Sequence, residues 1–183
     1  MLIRTLLLAT ILFFQINLTG QNGAEEKCGT IDTPDPLFDS VHFENFQRNY
    51  TQNKRDEDVT MIPVAARIVR FSHGEGGLDP VHLTEIMDSL NARFVSSNIQ
   101  FYQCGEPQYV DEGLFFNFDR SIYADSLVTY NVPNVINIYF INKILNDDVT
   151  LCGYASFPWN DKDQEYVVVK NSCAMNGSTL AHG

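Results

Sequence analysis

Val135-Ile136-Asn137-Ile138-Tyr139-Phe140-Ile141-Asn142 is the stretch on which the fold turns. Its apolar residues stand on both faces of an extended chain, which predicts a strand covered from both sides and central in a sheet. Upstream, Met61-Ile62-Pro63-Val64-Ala65-Ala66-Arg67-Ile68-Val69-Arg70-Phe71 is a second long apolar run, with Arg67 and Arg70 assigned to an exposed face. His73-Gly74-Glu75-Gly76-Gly77 marks a turn after it. A helix is predicted over 79–94, with Asp79 as N-cap and Pro80 at the first position, where a missing N–H costs nothing. Leu83, Ile86, Met87, Leu90 and Phe94 recur at helical spacing, so one face of it must pack on something. Ile99-Gln100-Phe101-Tyr102 reads as another strand, and residues 105–131 as an irregular, aromatic-rich segment with a short strand over 114–116. Downstream come Tyr154-Ala155-Ser156-Phe157, stopped by Pro158, and Tyr166-Val167-Val168-Val169-Lys170. The tail, Asn176 to Gly183, reads as a helix start that Asn176 or Ser178 could cap. This order predicts an α/β (α+β) domain, a mixed sheet backed by a helix.

The 183 residues suffice for one domain with a sizeable core. Charged residues make up 19% and hydrophobic residues 44%, which excludes wholesale disorder. A net charge of -11 repels phosphate and argues against a nucleic-acid partner. Residues 1–20 carry one early positive charge, at Arg4, then an apolar run from Leu6 to Phe14 interrupted by Thr10. That run is shorter than the roughly 20 residues of a spanning helix, so it reads as a secretory signal peptide cut before Gln21. Residues 21–58 are polar and poorly periodic, like a leader or pro-segment, with a short helix near 41–50. Lys54-Arg55 within it is a candidate processing site, or a solvated charge pair.

Alone, His182 is a histidine near a chain end and carries little weight. Its setting on a nascent helix, directly after two strand runs, changes that. A zinc-protease site needs two histidines one helical turn apart, with a glutamate between them as general base. The run Leu151-Cys152-Gly153-Tyr154-Ala155-Ser156-Phe157-Pro158, then Tyr166-Val167-Val168-Val169, Asn171-Ser172-Cys173 and Gly177-Ser178-Thr179-Leu180-Ala181-His182, resembles the approach to the zinc helix in pappalysin-family metalloproteases, a branch of the metzincins. Ile62-Pro63-Val64, Leu90-Asn91-Ala92-Arg93-Phe94 and Asn137-Ile138-Tyr139-Phe140-Ile141 match in the same order, and Cys28-Gly29-Thr30 resembles the family's pro-segment. The likeness covers about residues 28–182.

The resemblance implies a metzincin-like upper subdomain over 59–183, with a twisted mixed sheet, a backing helix, and a truncated active-site helix from near Ser178. It implies a secreted zinc metalloendopeptidase acting on proteins or peptides, with His182 as first zinc ligand. The strand of Gly153, Tyr154, Ala155, Ser156 and Phe157 would hold extended substrate by main-chain bonds, although Tyr154 and Phe157 also read as plain buried aromatics. Gly183 stands where the family has its glutamate, and two zinc histidines are missing, so the chain is expected neither to bind zinc tightly nor to cleave peptides. The alternative is a non-catalytic secreted module that binds peptides or serves adhesion. By resemblance Cys28 is a candidate zymogen switch, a thiolate capping the metal; the other reading is a disulfide, for which Cys104 is a partner. Cys152 and Cys173 flank the two last strands and are candidates for a bridge, given export, with free thiols the alternative. His42, His73 and His82 have no partner at ligand spacing and read as surface residues. Asn49-Tyr50-Thr51 and Asn176-Gly177-Ser178 are glycosylation sequons, relevant only in a host that glycosylates.

Overall fold

The computed structural model describes residues 59–156, 166–175 and 178–182, and the backbone of 27–28. Their strands are β1 (Lys27–Cys28), β2 (Thr60–Arg70), β3 (Ile99–Gln103), β4 (Gln108–Asp111), β5 (Asn117–Asp119), β6 (Ile136–Ile141), β7 (Lys143–Asn146), β8 (Val149–Ala155) and β9 (Tyr166–Lys170). The helices are α1 (Val81–Phe94), α2 (Gly113–Phe116), α3 (Arg120–Leu127), α4 (Asn171–Ala174) and α5 (Ser178–His182). All strands join one mixed sheet in the order β3-β2-β6-β9-β8-β7-β5, with β4 also on β2 and β1 also on β8. The antiparallel pairs are β7 with β8 and β8 with β9.

β6 lies between β2 and β9, parallel to both, as its two-sided apolar pattern predicts. Ile138 and Phe140 face one core with Val64, Ala66 and Ile68 of β2 and with Ile86 and Leu90 of α1. Ala174 of α4 and Leu180 of α5 complete that core. Tyr139 and Ile141 face a second core with Val69, Phe118, Leu127, Tyr154 and Val168. The period of two along each strand thus sorts residues between two packed layers. Asn91 fixes α1 to β3 by bonding both the N–H and the carbonyl of Phe101, at 2.7 and 3.0 Å.

The helix starts one residue later than the sequence predicts, with Pro80 rather than Asp79 at the N-cap position. The Asp79 carboxylate accepts from the Val81 N–H at 3.1 Å, with Pro80 between them, and the regular helix begins at Val81. Gly77 lies where a Cβ would stand 2.9 Å from Ile68 and its φ is +88°, so the turn between β2 and α1 requires glycine there. The strand expected over 114–116 is instead the short helix α2, whose first turn is capped by Glu112, accepting from Leu114 N–H at 3.2 Å. The strand follows it, as β5.

Arg67 corrects a second expectation. It is 4% exposed rather than on an open face, because β4 and the residues around Val132 and Val135 cover this part of β2. Arg70 is half-exposed, forks onto Asp111 at 2.7 and 2.9 Å and lies 3.7 Å over the Tyr109 ring. The hydrogen bond from Arg70 holds the Asp111 carboxyl below its ordinary value of 3.8. A carboxyl lowered on folding contributes stability above its unfolded value and loses it as pH falls through the folded one. Asp111→Asn is therefore expected to destabilise the chain at pH 7, and by less as the pH is lowered below the ordinary carboxyl range, measured by urea melts across that range.

Candidate functional site

The candidate site lies where α5 meets β8. Two devices fix that meeting. A Cβ added to Gly153 would stand 3.2 Å from Thr179 Cγ2 and 2.7 Å from the carbonyl oxygen of Val168, so the absent side chain is what lets helix and strand approach. Leu180, next along the helix, is 7% exposed in the core beneath α1. The second device is covalent. Cys152 and Cys173 form a disulfide with Cα atoms 5.5 Å apart, tying β8 to α4 immediately before α5. The bridge expected from the sequence is present.

His182 ends α5 and is exposed. Of the strand residues singled out in the sequence, Gly153 and Tyr154 are buried, Ala155 and Ser156 half-buried, and Phe157 lies outside the described residues, as do Gly183, His42, Asn49, the processing pair and residues 1–20. Tyr154 packs between Phe118 and Tyr166 with the Arg120 guanidinium 4.3 Å from its ring, so only its main chain is open to a strand partner. His73 and His82 are exposed.

Gly153 pairs with Val169 of β9 on one side and with Cys28 of β1 on the other. β1 runs parallel to β8, through Lys27 with Leu151 and Cys28 with Gly153. Past Gly153 this edge of β8 carries no strand among the described residues. Cys104 directly follows β3, its N–H bonded to the Val64 carbonyl at 2.7 Å. Cys104 is free and exposed.

Burial pushes the phenols of Tyr139, Tyr154 and Tyr166 above the ordinary range. The Tyr139 hydroxyl donates to the carbonyl of Leu127 (3.0 Å) or to the side-chain oxygen of Asn131 (2.7 Å), and that of Tyr166 to Ala124 (3.2 Å). These phenols stay neutral at physiological pH and brace the layer behind β8. Sequence reading missed their cluster and Thr179, because both depend on residues that meet only across the sheet.

Among the described residues no three histidine, cysteine or acidic side chains stand close enough to hold a metal. His182 is one imidazole, where zinc needs three protein ligands, so the donor set present does not fit the ion. No helix of the described residues is long and apolar enough to cross a membrane.

No protein-family model matches the chain, and no curated protein matches it. Among solved structures it is similar to a mutant of promirolysin from Tannerella forsythia, at 17% identity and a TM-score of 0.49, over 80% of this chain. The matched part spans 60% of that protein's chain.

Proposed function

We propose that residues 59–182 form the upper, strand-bearing half of a secreted zinc metalloendopeptidase of pappalysin type. The observation that carries this reading is the seating of the His182 helix on β8 at Gly153, the residue whose other edge pairs with the leader at Cys28. A helix that presents a ligand histidine beside a strand with a pairable edge is what peptide hydrolysis at a bound metal needs: one element for the ion, one for the extended substrate. In this reading the main chain of residues 154–156 takes the substrate, and Cys28 is the latency cysteine of the leader. The Cys152–Cys173 bridge supports export, because such bonds persist in oxidising compartments.

The zinc itself would polarise the scissile carbonyl and supply a water nucleophile. Residues 59–182 supply one ligand and, in the zinc helix, no general base, so no step through the metal is assigned to them. A polypeptide of these 183 residues is expected to hold no stoichiometric zinc after dialysis and to show no chelator-sensitive cleavage of denatured casein. Mass-spectrometric metal analysis and a protease assay check both.

The ancestry is tested separately, by reading the coding DNA past codon 183 in all three frames. A glutamate codon followed by two histidines at zinc-helix spacing is the expected result. Its absence from every frame removes the protease reading and leaves an exported peptide-binding or adhesion module.

A further inference from the structure

A cavity of about 130 Å³ opens on the face of the sheet away from α1, far from the α5 site. Arg67, Cys104, Glu106, Gln108, Val132 and Val135 are among the residues that line it. Arg67 is 4% exposed, yet among the described residues its charge has no counter-ion, since no carboxylate of theirs lies within ion-pair reach. Its Nη1 donates to the Gln108 side-chain oxygen, and its Nε is sealed without a partner, leaving Nη2 with no acceptor among the described residues. Guanidinium groups do not deprotonate, so this charge cannot escape burial by losing its proton. A buried cation without an anion is costly, and native proteins pair such groups. The open space next to Arg67 is large enough for a few water-sized groups.

We infer that this cavity binds a small free oxyanion, of carboxylate or phosphate size, on the guanidinium of Arg67. The planar fork of arginine is suited to such an anion, and the aliphatic walls at Val132 and Val135 accept a short apolar tail better than bulk water does. Glu106, which also lines the cavity, is the competing occupant from within the chain.

Cys104 reports on the site, because this residue is among those that line the cavity and its thiol is free. The experiment compares alkylation of the full chain by iodoacetate, an anion, and by iodoacetamide, its neutral counterpart, read on the Cys104 peptide by mass spectrometry. Taking the ratio at one pH cancels the fraction of thiolate. On a chain of net charge -11 the anionic reagent should otherwise be disfavoured. The iodoacetate-to-iodoacetamide ratio is expected to exceed that of a short unfolded Cys104 peptide by about threefold, the effect of one screened charge a few ångströms away. Acetate or phosphate at tens of millimolar should lower the iodoacetate rate alone, beyond the effect of equal ionic strength from chloride. Arg67→Gln should bring the ratio to the peptide value or below it, since the remaining net negative charge disfavours the anionic reagent. Should that variant not fold, Arg67→Lys keeps a charge without the fork, and phosphate should protect it less. A wild-type ratio at or below the peptide value overturns the proposal. So does a ratio that rises to the expected level only in Glu106→Gln, which would make Glu106 the native occupant.

Discussion

Gly153→Val is expected to destabilise the chain by about 3 kcal/mol, the upper end of what overpacking a close-fitted position costs. The number follows from what the new atoms meet. Even the Cβ alone would stand 2.7 Å from the Val168 carbonyl oxygen, which belongs to the sheet backbone and cannot rotate away. It would also stand 3.2 Å from Thr179 Cγ2 and 3.5 Å from Val169 Cα, so the strand cannot shift from one without meeting the others. Two further methyl groups deepen the clash. Relief requires either opening the β8–β9 ladder or lifting α5 from its seat. Gly113→Ala is the comparison, since there a Cβ meets only the end of the Ser72 side chain at 3.0 Å and backbone no closer than 3.8 Å. It should cost less than about 1 kcal/mol. Urea melts of the two variants decide the matter, with equal midpoints refuting the packing argument. Hydrogen exchange adds a spatial check: in Gly153→Val, protection should fall first at residues 178–182 and along β8, while α1 keeps its own.

Several elements were legible from the sequence because local pattern decides them. β6 announces itself by apolar residues on both faces, and α1 by a cap and a 3.6-residue period. The segment 113–127 was not, although Glu112 and Asp119 both act as helix caps there. Leu114-Phe115-Phe116 is too short for periodicity to separate helix from strand, and the apolar content favoured the strand. β4 and β7, four residues each, are held by pairing with distant partners rather than by their own composition. Arg67 failed for a related reason. Its charge argues for an exposed face, and nothing local reveals that β4 and residues 132–135 close over it. Of the candidate site, the helix start at Ser178 and the bridge between Cys152 and Cys173 could be read in advance. That Cys28 stands beside Gly153 could not, since only the sheet brings positions 125 apart into register.

Removing the disulfide, as Cys152→Ser with Cys173→Ser, should cost about 3 kcal/mol, the loop-closure entropy of a 21-residue separation in the chain-entropy model. That corresponds to a drop of roughly 10 °C in melting temperature for a domain of this size. Cys104→Ser should leave the melt unchanged within error, since that thiol is free and exposed. The loss should also be uneven. α5 has five residues, too few to hold together in water without tertiary contacts, and its contacts are the Gly153 seat, the burial of Leu180 and the tether through Cys173. β9 is held independently by ladders to β6 and β8 on its two sides. Without the bridge, residues 171–182 should exchange amide hydrogens faster at a temperature where β9 and β6 remain protected. Uniform loss of protection across the domain would show that the bridge stabilises the whole fold and not this helix. Full retention of the melting temperature would show that packing alone seats it. Selective loss in 171–182 would show that the seating of the helix that ends at His182 depends on the oxidation state of one bond, so that a reductant lifts this helix from β8 well before the sheet unfolds.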